Sequence, residues 1–213
     1  MIVQGSRKCG DLMNRFGTAI ILAGGKSSRM GFDKQFLKIN ERRLMDSLTL
    51  KLREEFDEII IVTNKPQYYI GLGHKITSDI IENIGPLGGI HAGLSLASSQ
   101  YAFVVACDMP NINLEYVRFM KSTIEGKDVD GCVTKFGEWI EPFSSFYSKG
   151  IVEDIENHLN FNMRSINSLL KKLNINYIEE SKAREFSPNW DMFLNLNTRE
   201  DLDKYLENLV NVR

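Results

Sequence analysis

The stretch Leu22-Ala-Gly-Gly-Lys-Ser-Ser-Arg-Met-Gly-Phe-Asp-Lys34 gathers the groups that suit an anion. Paired glycines, Gly24 and Gly25, follow a short apolar run. They allow backbone N–H groups to turn toward a ligand at close range, while Arg29 and Lys34 bring two cationic side chains to the same loop. That chemistry fits a polyphosphate; the bland alternative is a glycine turn flanked by solvated basic residues. Gly25-Lys26-Ser27 supplies the last letters of a Walker A loop, but that motif requires a further glycine where the chain has Ile20, so the ATPase reading fails. A dinucleotide fingerprint fails as well, because no third glycine follows at the required spacing.

Asp108, in Cys107-Asp-Met-Pro110, follows a second apolar run and offers a hard oxygen ligand for Mg2+ beside phosphate; an aspartate turn before Pro110 is the alternative. Asp79 precedes Gly85-Pro-Leu-Gly-Gly89, a tight loop against which a flat base or ribose can lie. Its carboxylate suits the N1–H and N2 edge of guanine, and equally suits a plain polar strand terminus. Asn195 and Asn197 alternate with Leu194 and Leu196, so in an extended segment both amides face one side and can bind a flat heterocycle or a phosphate. An N-cap role competes at Asn197, ahead of Glu200-Asp201. His74, His91 and His158 are scattered, with no cluster of metal-ligating or triad partners in sequence. Trp139 and Trp190 read as packing residues.

The elements that must position these residues are legible as short buried strands alternating with helices. Thr18 to Ala23, Ile59 to Val62 and Tyr101 to Ala106 have the length and composition of strands covered on both faces, and Lys75 to Ser78 adds a fourth. Leu44, Leu48, Leu52 and Phe56 recur at helical spacing, and Gly88 to Ala97 reads as a close-packing helix. Val129 to Thr134 and Ser144 to Tyr147 read as strands. Ile151 to Leu159, Ser165 to Leu173 and a segment from Thr198 onward read as helices. The alternation predicts an α/β fold: a mostly parallel sheet, helices on both faces, and a ligand cleft beyond the carboxyl ends of the strands. The loops after Ala23, Ser78 and Ala106 converge there.

The 213 residues suit one domain, read here as 17–213 behind an N-terminal extension, 1–16. With 43% hydrophobic and 25% charged residues, the composition excludes intrinsic disorder. A net charge of -2 gives no global pull toward nucleic acid or anionic membranes, so any phosphate site is local. No apolar run reaches the roughly 20 residues of a membrane span. Three cysteines without CxxC spacing argue against a disulfide framework and point to a reducing cytoplasm.

Taken with Gly85-Pro-Leu-Gly-Gly-Ile90, Cys107-Asp-Met-Pro110 and Phe193-Leu-Asn-Leu-Asn-Thr198 before Glu200-Asp-Leu202, the first loop resembles the signature of the nucleotidyltransferases, and its spelling is most similar to the molybdenum cofactor guanylyltransferases. Gly88-Gly89 and Arg199 depart from the family's commoner Ala-Gly and Pro. The resemblance implies a Rossmann-like three-layer α/β/α fold and transfer of GMP from GTP to molybdopterin, with Mg2+ as cofactor and pyrophosphate released. It implies a nucleotide site at Leu22, Ala23, Gly24, Gly25, Lys34, Asp79, Gly85, Pro86, Leu87 and Asp108. Arg29, Lys34 and Asp108 would be catalytic, Asp108 would hold the metal, and Asn195 and Asn197 would bind the acceptor. A molybdoenzyme or its chaperone would receive the product. Glu141-Pro142-Phe143 matches a family segment near the active site, without a role that the residues define. A cytidylyltransferase, a sugar-phosphate nucleotidyltransferase and a non-catalytic nucleotide-binding module are the alternatives.

Overall fold

The computed structural model describes residues 15–24, 36–39, 42–81 and 84–211. Gly25, Arg29 and Lys34, and positions 1–14 of the extension, lie outside the described residues. In chain order the elements are β1 (Thr18–Leu22), β2 (Lys38–Ile39), β3 (Arg42–Arg43), α1 (Leu44–Leu52), β4 (Glu58–Val62), β5 (Lys75–Thr77), α2 (Pro86–Leu96), β6 (Tyr101–Ala106) and α3 (Leu114–Ile124). They continue with β7 (Gly131–Phe136), β8 (Trp139–Ser148), α4 (Val152–Asn160), α5 (Ile166–Leu170), β9 (Ile175–Glu179), α6 (Glu180–Arg184) and α7 (Arg199–Asn211).

Among the described residues, seven strands form one sheet in the order β5-β4-β1-β6-β8-β7-β9. β1 pairs in parallel with β4 and β6, β4 with β5, and β7 with β9, while β8 runs antiparallel to both neighbours. The sheet is therefore mostly parallel, and the carboxyl ends of β1, β4, β5, β6 and β7 share one edge. β1 and β6 occupy the middle, and their near-continuous apolar composition follows from burial on both faces.

One face is covered by α1 and α3, whose Leu48, Leu52, Tyr116 and Met120 pack with Ile21, Phe103 and Phe146. The other is covered by α2, α4 and α5, through Leu87, Ile90, Ile155 and Leu169 against Ile20, Val62 and Val104. α2 approaches β1 closely: a Cβ built on Gly93 would stand 2.5 Å from Ile20 Cγ2. Asn113 caps α3, its side-chain oxygen accepting from the Tyr116 N–H at 2.9 Å. Phe16 is 4% exposed and stacks on Tyr101 at 5.4 Å, so residues 15 and 16 pack with the domain.

The sheet is interrupted beside its centre. β8 pairs with β6 only as far as Ser145 opposite Val104, and beyond that it follows β7 alone. Residues 142–145 of β8 face only Val133 of β7, and Ser144 lies in the left-handed region at φ 54°. This bulge is braced by Tyr147 Oη donating to the Pro142 carbonyl (2.7 Å) and Ser145 Oγ donating to that of Glu141 (3.0 Å). The strand is longer than the Ser144 to Tyr147 expected, because Pro142, which cannot donate to a ladder, sits in this unpaired bend.

Candidate active site

The carboxyl edge is laced together one residue past each strand. The Ala23 N–H donates to the Val62 carbonyl (2.8 Å), Thr63 N–H to Thr77 (2.8 Å), and Cys107 N–H to Leu22 (3.0 Å). These bonds hold the starts of the three loops side by side, as the alternation of strands predicts. Leu22 and Ala23 are buried while Gly24 is exposed, and a Cβ added to Gly24 meets no described atom within 4 Å. Gly25, Arg29 and Lys34 continue this loop outside the described residues.

On the α2 face, Gly85 adopts φ 75°, a left-handed value that favours glycine, and Pro86 then opens the helix. The Gly88 N–H closes the turn onto the Gly85 carbonyl at 3.1 Å. Asp79 lies against this first turn: Cβ atoms built on Gly88 and Gly89 would be 3.8 Å from its Cγ and 3.6 Å from its Oδ1. The carboxylate thus lies within van der Waals range of this turn, whose tightest approach on this side is Gly88 to the Ile81 carbonyl, 3.2 Å from a built Cβ. Burial raises the pKa of Asp79, and no hydrogen bond or ion pair joins it to another described residue. Asp79, Gly85, Pro86 and Leu87 are thus brought together with Leu22, whose Cδ2 would stand 3.1 Å from a Cβ on Gly89.

Asp108 follows β6 and is buried, with 9% exposure. Its carbonyl accepts the Leu196 N–H at 2.9 Å, which seats the Asn195 to Asn197 segment directly on the Asp108 loop. Across the split in the sheet stands Glu141. Its Oε1 accepts the Phe143 N–H at 3.2 Å, and burial, reinforced by the negative charge of Asp108, pushes its pKa up to about 7. The residue triplet containing Glu141 was visible in the sequence, but its proximity to Asp108 depends on the bulge.

The acceptor segment differs from the extended strand expected. The Asn197 N–H donates to the Asn195 carbonyl at 3.1 Å, a three-residue turn centred on buried Leu196. Asn195 Nδ2 donates to the Phe193 carbonyl (3.1 Å), and Asn197 is exposed. The α7 cap falls to Thr198: its Oγ1 accepts from the Asp201 N–H (3.1 Å), while Asp201 Oδ2 accepts from Thr198 N–H (2.8 Å) and Asn197 N–H (3.0 Å). A second expectation needs correcting. Trp190 does pack, against Phe193 at 4.8 Å and Phe136 at 5.6 Å, but Trp139 is 62% exposed.

A groove of about 500 Å³ lies elsewhere, among α1, the start of α3 and Ser187 to Met192. Its cations are matched, Lys51 by Glu54 at 3.6 Å and Arg118 by Glu55 at 2.8 Å. Among the described residues, no three His, Cys, Asp or Glu side chains form a metal cluster, and no helix is long and apolar enough to cross a membrane.

A strand-end loop opening on paired glycines, an aspartate after the central strand and a carboxylate beside a glycine-proline helix start share this edge, and residues 19–176 match the model of the MobA-like NTP transferase domain. The chain belongs to that family. A MobA-like relative, the probable molybdenum cofactor guanylyltransferase of Peptoclostridium acidaminophilum, is 56% identical over 195 residues, covering 89% of this chain and 88% of the relative. The molybdenum cofactor guanylyltransferase of Syntrophotalea carbinolica is 50% identical over 191 residues, covering 90% and 91%. The fold is that of molybdopterin-guanine dinucleotide biosynthesis protein A from Archaeoglobus fulgidus, with a TM-score of 0.79, 24% identity, and coverage of 92% of this chain and 100% of that one. The MobA-like assignment makes the chain a nucleotidyltransferase and confirms the α/β/α architecture expected from its alternating elements.

Proposed function

We propose that the protein transfers GMP from GTP to the terminal phosphate of molybdopterin and releases pyrophosphate. The reading is carried by one arrangement: the Asp79 pocket on the α2 face and the Asn195 segment on the opposite face reach the same sheet edge, on either side of the loop after β1, with the Asn195 segment seated on Asp108. The attacking group is already a phosphate anion, so no protein base has to activate it. Catalysis reduces to alignment and to charge neutralisation at the α phosphorus.

In this reading the backbone from Leu22 to Gly25 cradles the triphosphate, and Arg29 and Lys34 offset charge on it and on the departing pyrophosphate. Asp79, Gly85, Pro86 and Leu87 hold guanosine, and Asn195 and Asn197 orient the acceptor. The donors near Asp108 are carboxylate oxygens with no sulfur or imidazole cluster among the described residues. Such a sparse, hard set suits Mg2+, which binds through one or two carboxylates and completes its shell with water and substrate phosphates. Bound at Asp108, Mg2+ would neutralise charge on the phosphates. The product would pass to a molybdoenzyme or its chaperone. A cytoplasmic setting is supported by Cys107 and Cys132, both buried free thiols.

The test is turnover with GTP, Mg2+ and molybdopterin, read as pyrophosphate release and dinucleotide formation. Turnover that requires all three is expected, and Lys34→Ala should lower it about a hundredfold. Equal use of CTP would replace the guanine assignment with a cytidylyltransferase, and nucleotide binding without turnover would favour a regulatory module.

A further inference from the structure

Trp139 is the least explained large side chain at the working edge of the sheet. It opens β8 and pairs with Phe136 across the hairpin; the next pair on the same face is Glu141 with Thr134. Thr134 Oγ1 lies 2.6 Å from the Tyr116 hydroxyl, which fixes this as the α3 face, the one that also carries Phe193 and Leu196. The hairpin stands at the carboxyl end of β7, the same edge as Asp108.

The strand order lays the groups out in sequence across that edge. The Asp79 pocket comes first, beside β4 and β5, then the glycine loop after β1, then Asp108 after β6, Glu141 on β8, and finally the Phe136–Trp139 pair. Trp139 is two residues from Glu141, roughly 7 Å along the strand. Its surroundings also distinguish it from its neighbours. Trp190 has its faces engaged, by the Arg184 guanidinium at 4.7 Å and by Phe193 and Phe136. Phe136 is 44% exposed and Trp139 62% exposed, and among the described residues no ring or cation rests on the Trp139 indole.

The acceptor proposed above is a phosphate joined to a flat, nitrogen-rich fused ring. With its phosphate at Asp108, its ring must lie on the side away from the nucleotide, beyond Glu141. A broad aromatic face is what such a ring stacks on, whatever hydrogen bonds orient it. We infer that Trp139, the cross-strand partner of Phe136, is the stacking platform for the pterin ring of the acceptor, an inference that rests on the acceptor reading above. The hairpin that carries it also reaches the amide side: Phe136, opposite Trp139, packs on Trp190, Trp190 on Phe193, and the Phe193 carbonyl holds Asn195 Nδ2. Stacking surface and orienting amide are therefore parts of one buttressed unit.

The experiment compares wild type, Trp139→Ala and Trp139→Phe in the GTP, Mg2+ and molybdopterin assay, together with GTP affinity measured alone and thermal unfolding of each variant. Trp139→Ala should raise the KM for molybdopterin about tenfold or more while leaving GTP affinity and Tm unchanged, and Trp139→Phe should recover most of the loss. Molybdopterin should also quench tryptophan emission of the wild type far more than that of Trp139→Phe. An acceptor KM within twofold of wild type in Trp139→Ala overturns the platform and leaves the reaction standing. An equal fall in GTP affinity overturns it too, by putting Trp139 on the nucleotide. A wild-type protein inactive with molybdopterin overturns the acceptor reading itself, and the platform with it.

Discussion

The backbone N–H of Leu196 donates to the carbonyl of Asp108 at 2.9 Å, tying a segment near the end of the chain to the loop after the central strand. Leu196 is buried and centres a turn, so the bond fixes Asn195 on one side and Asn197 on the other relative to the aspartate. In the proposed reading, alignment of the acceptor against Asp108 thus depends on main chain as well as on side chains.

The Thr198 and Asp201 capping box holds that segment from its other end. Thr198→Ala should lower stability by about 0.5–2 kcal/mol, because the Asp201 N–H loses its acceptor. It should also raise the KM for the acceptor without changing GTP affinity. Asn197→Ala, at an exposed position whose bond to Asp201 is made by the main chain, should leave Tm close to wild type and act on acceptor binding. Chemical denaturation and separate titrations of the two substrates distinguish these outcomes.

Asp108→Asn should keep the fold, since the contact to Leu196 uses the main-chain carbonyl, but should cut turnover by about a hundredfold or more through loss of the charged ligand. Turnover measured across a Mg2+ titration checks this. Activity restored at ordinary Mg2+ would move the metal elsewhere.

In the proposed reading, Asp79 selects the base. Asp79→Ala should erase roughly 1–3 kcal/mol of preference for GTP over CTP, read as the ratio of kcat/KM values. Stability should move the other way. Burial raises the carboxyl's folded pKa, so the ionised form is disfavoured by folding, and Asp79→Asn should unfold at slightly higher temperature than wild type at pH 7.

Glu141 predicts a pH dependence with a definite sign. Its pKa rises from 4.5 to about 7 on folding, so between those values the native state binds more protons than the unfolded chain. Stability from this group is full below about pH 4.5 and is lost as pH climbs through about 7. Tm profiles from pH 5 to 8 should fall more steeply for wild type than for Glu141→Gln, which carries no titrating carboxyl.

How much of this was legible depends on whether the signal is local. The strands Thr18 to Leu22 and Tyr101 to Ala106 declare themselves by unbroken apolar composition, and the loops that follow them were placed at the cleft on that basis alone. Helix α3 carries its own signature, Leu114, Val117, Met120 and Ile124 behind the Asn113 cap, and could have been named from spacing. β9 and α6 could not, since Ile175 to Glu179 is short and mostly half-buried and acquires strand character only by pairing with β7. At the site, Asp108 and Asp79 stood out beside Pro and Gly. Glu141 gained a location only once the bulge turned it toward Asp108, and the turn at Leu196 replaced the simple alternation that would have set both amides side by side.

Helix α2 touches β1 through glycines one turn apart, Gly89 against Leu22 and Gly93 against Ile20. The helix whose first residues border the Asp79 pocket is thus seated on the very strand that delivers the anion loop. In the proposed reading, the span between base and α phosphorus is consequently set by a contact in the interior, and the pair works as a fixed gauge. A single methyl at position 93 would lift α2 off Ile20 and change that length without altering any group that touches substrate. Loss of activity in such a variant would register as a nucleotide held out of reach of its acceptor, with the chemistry of the edge intact.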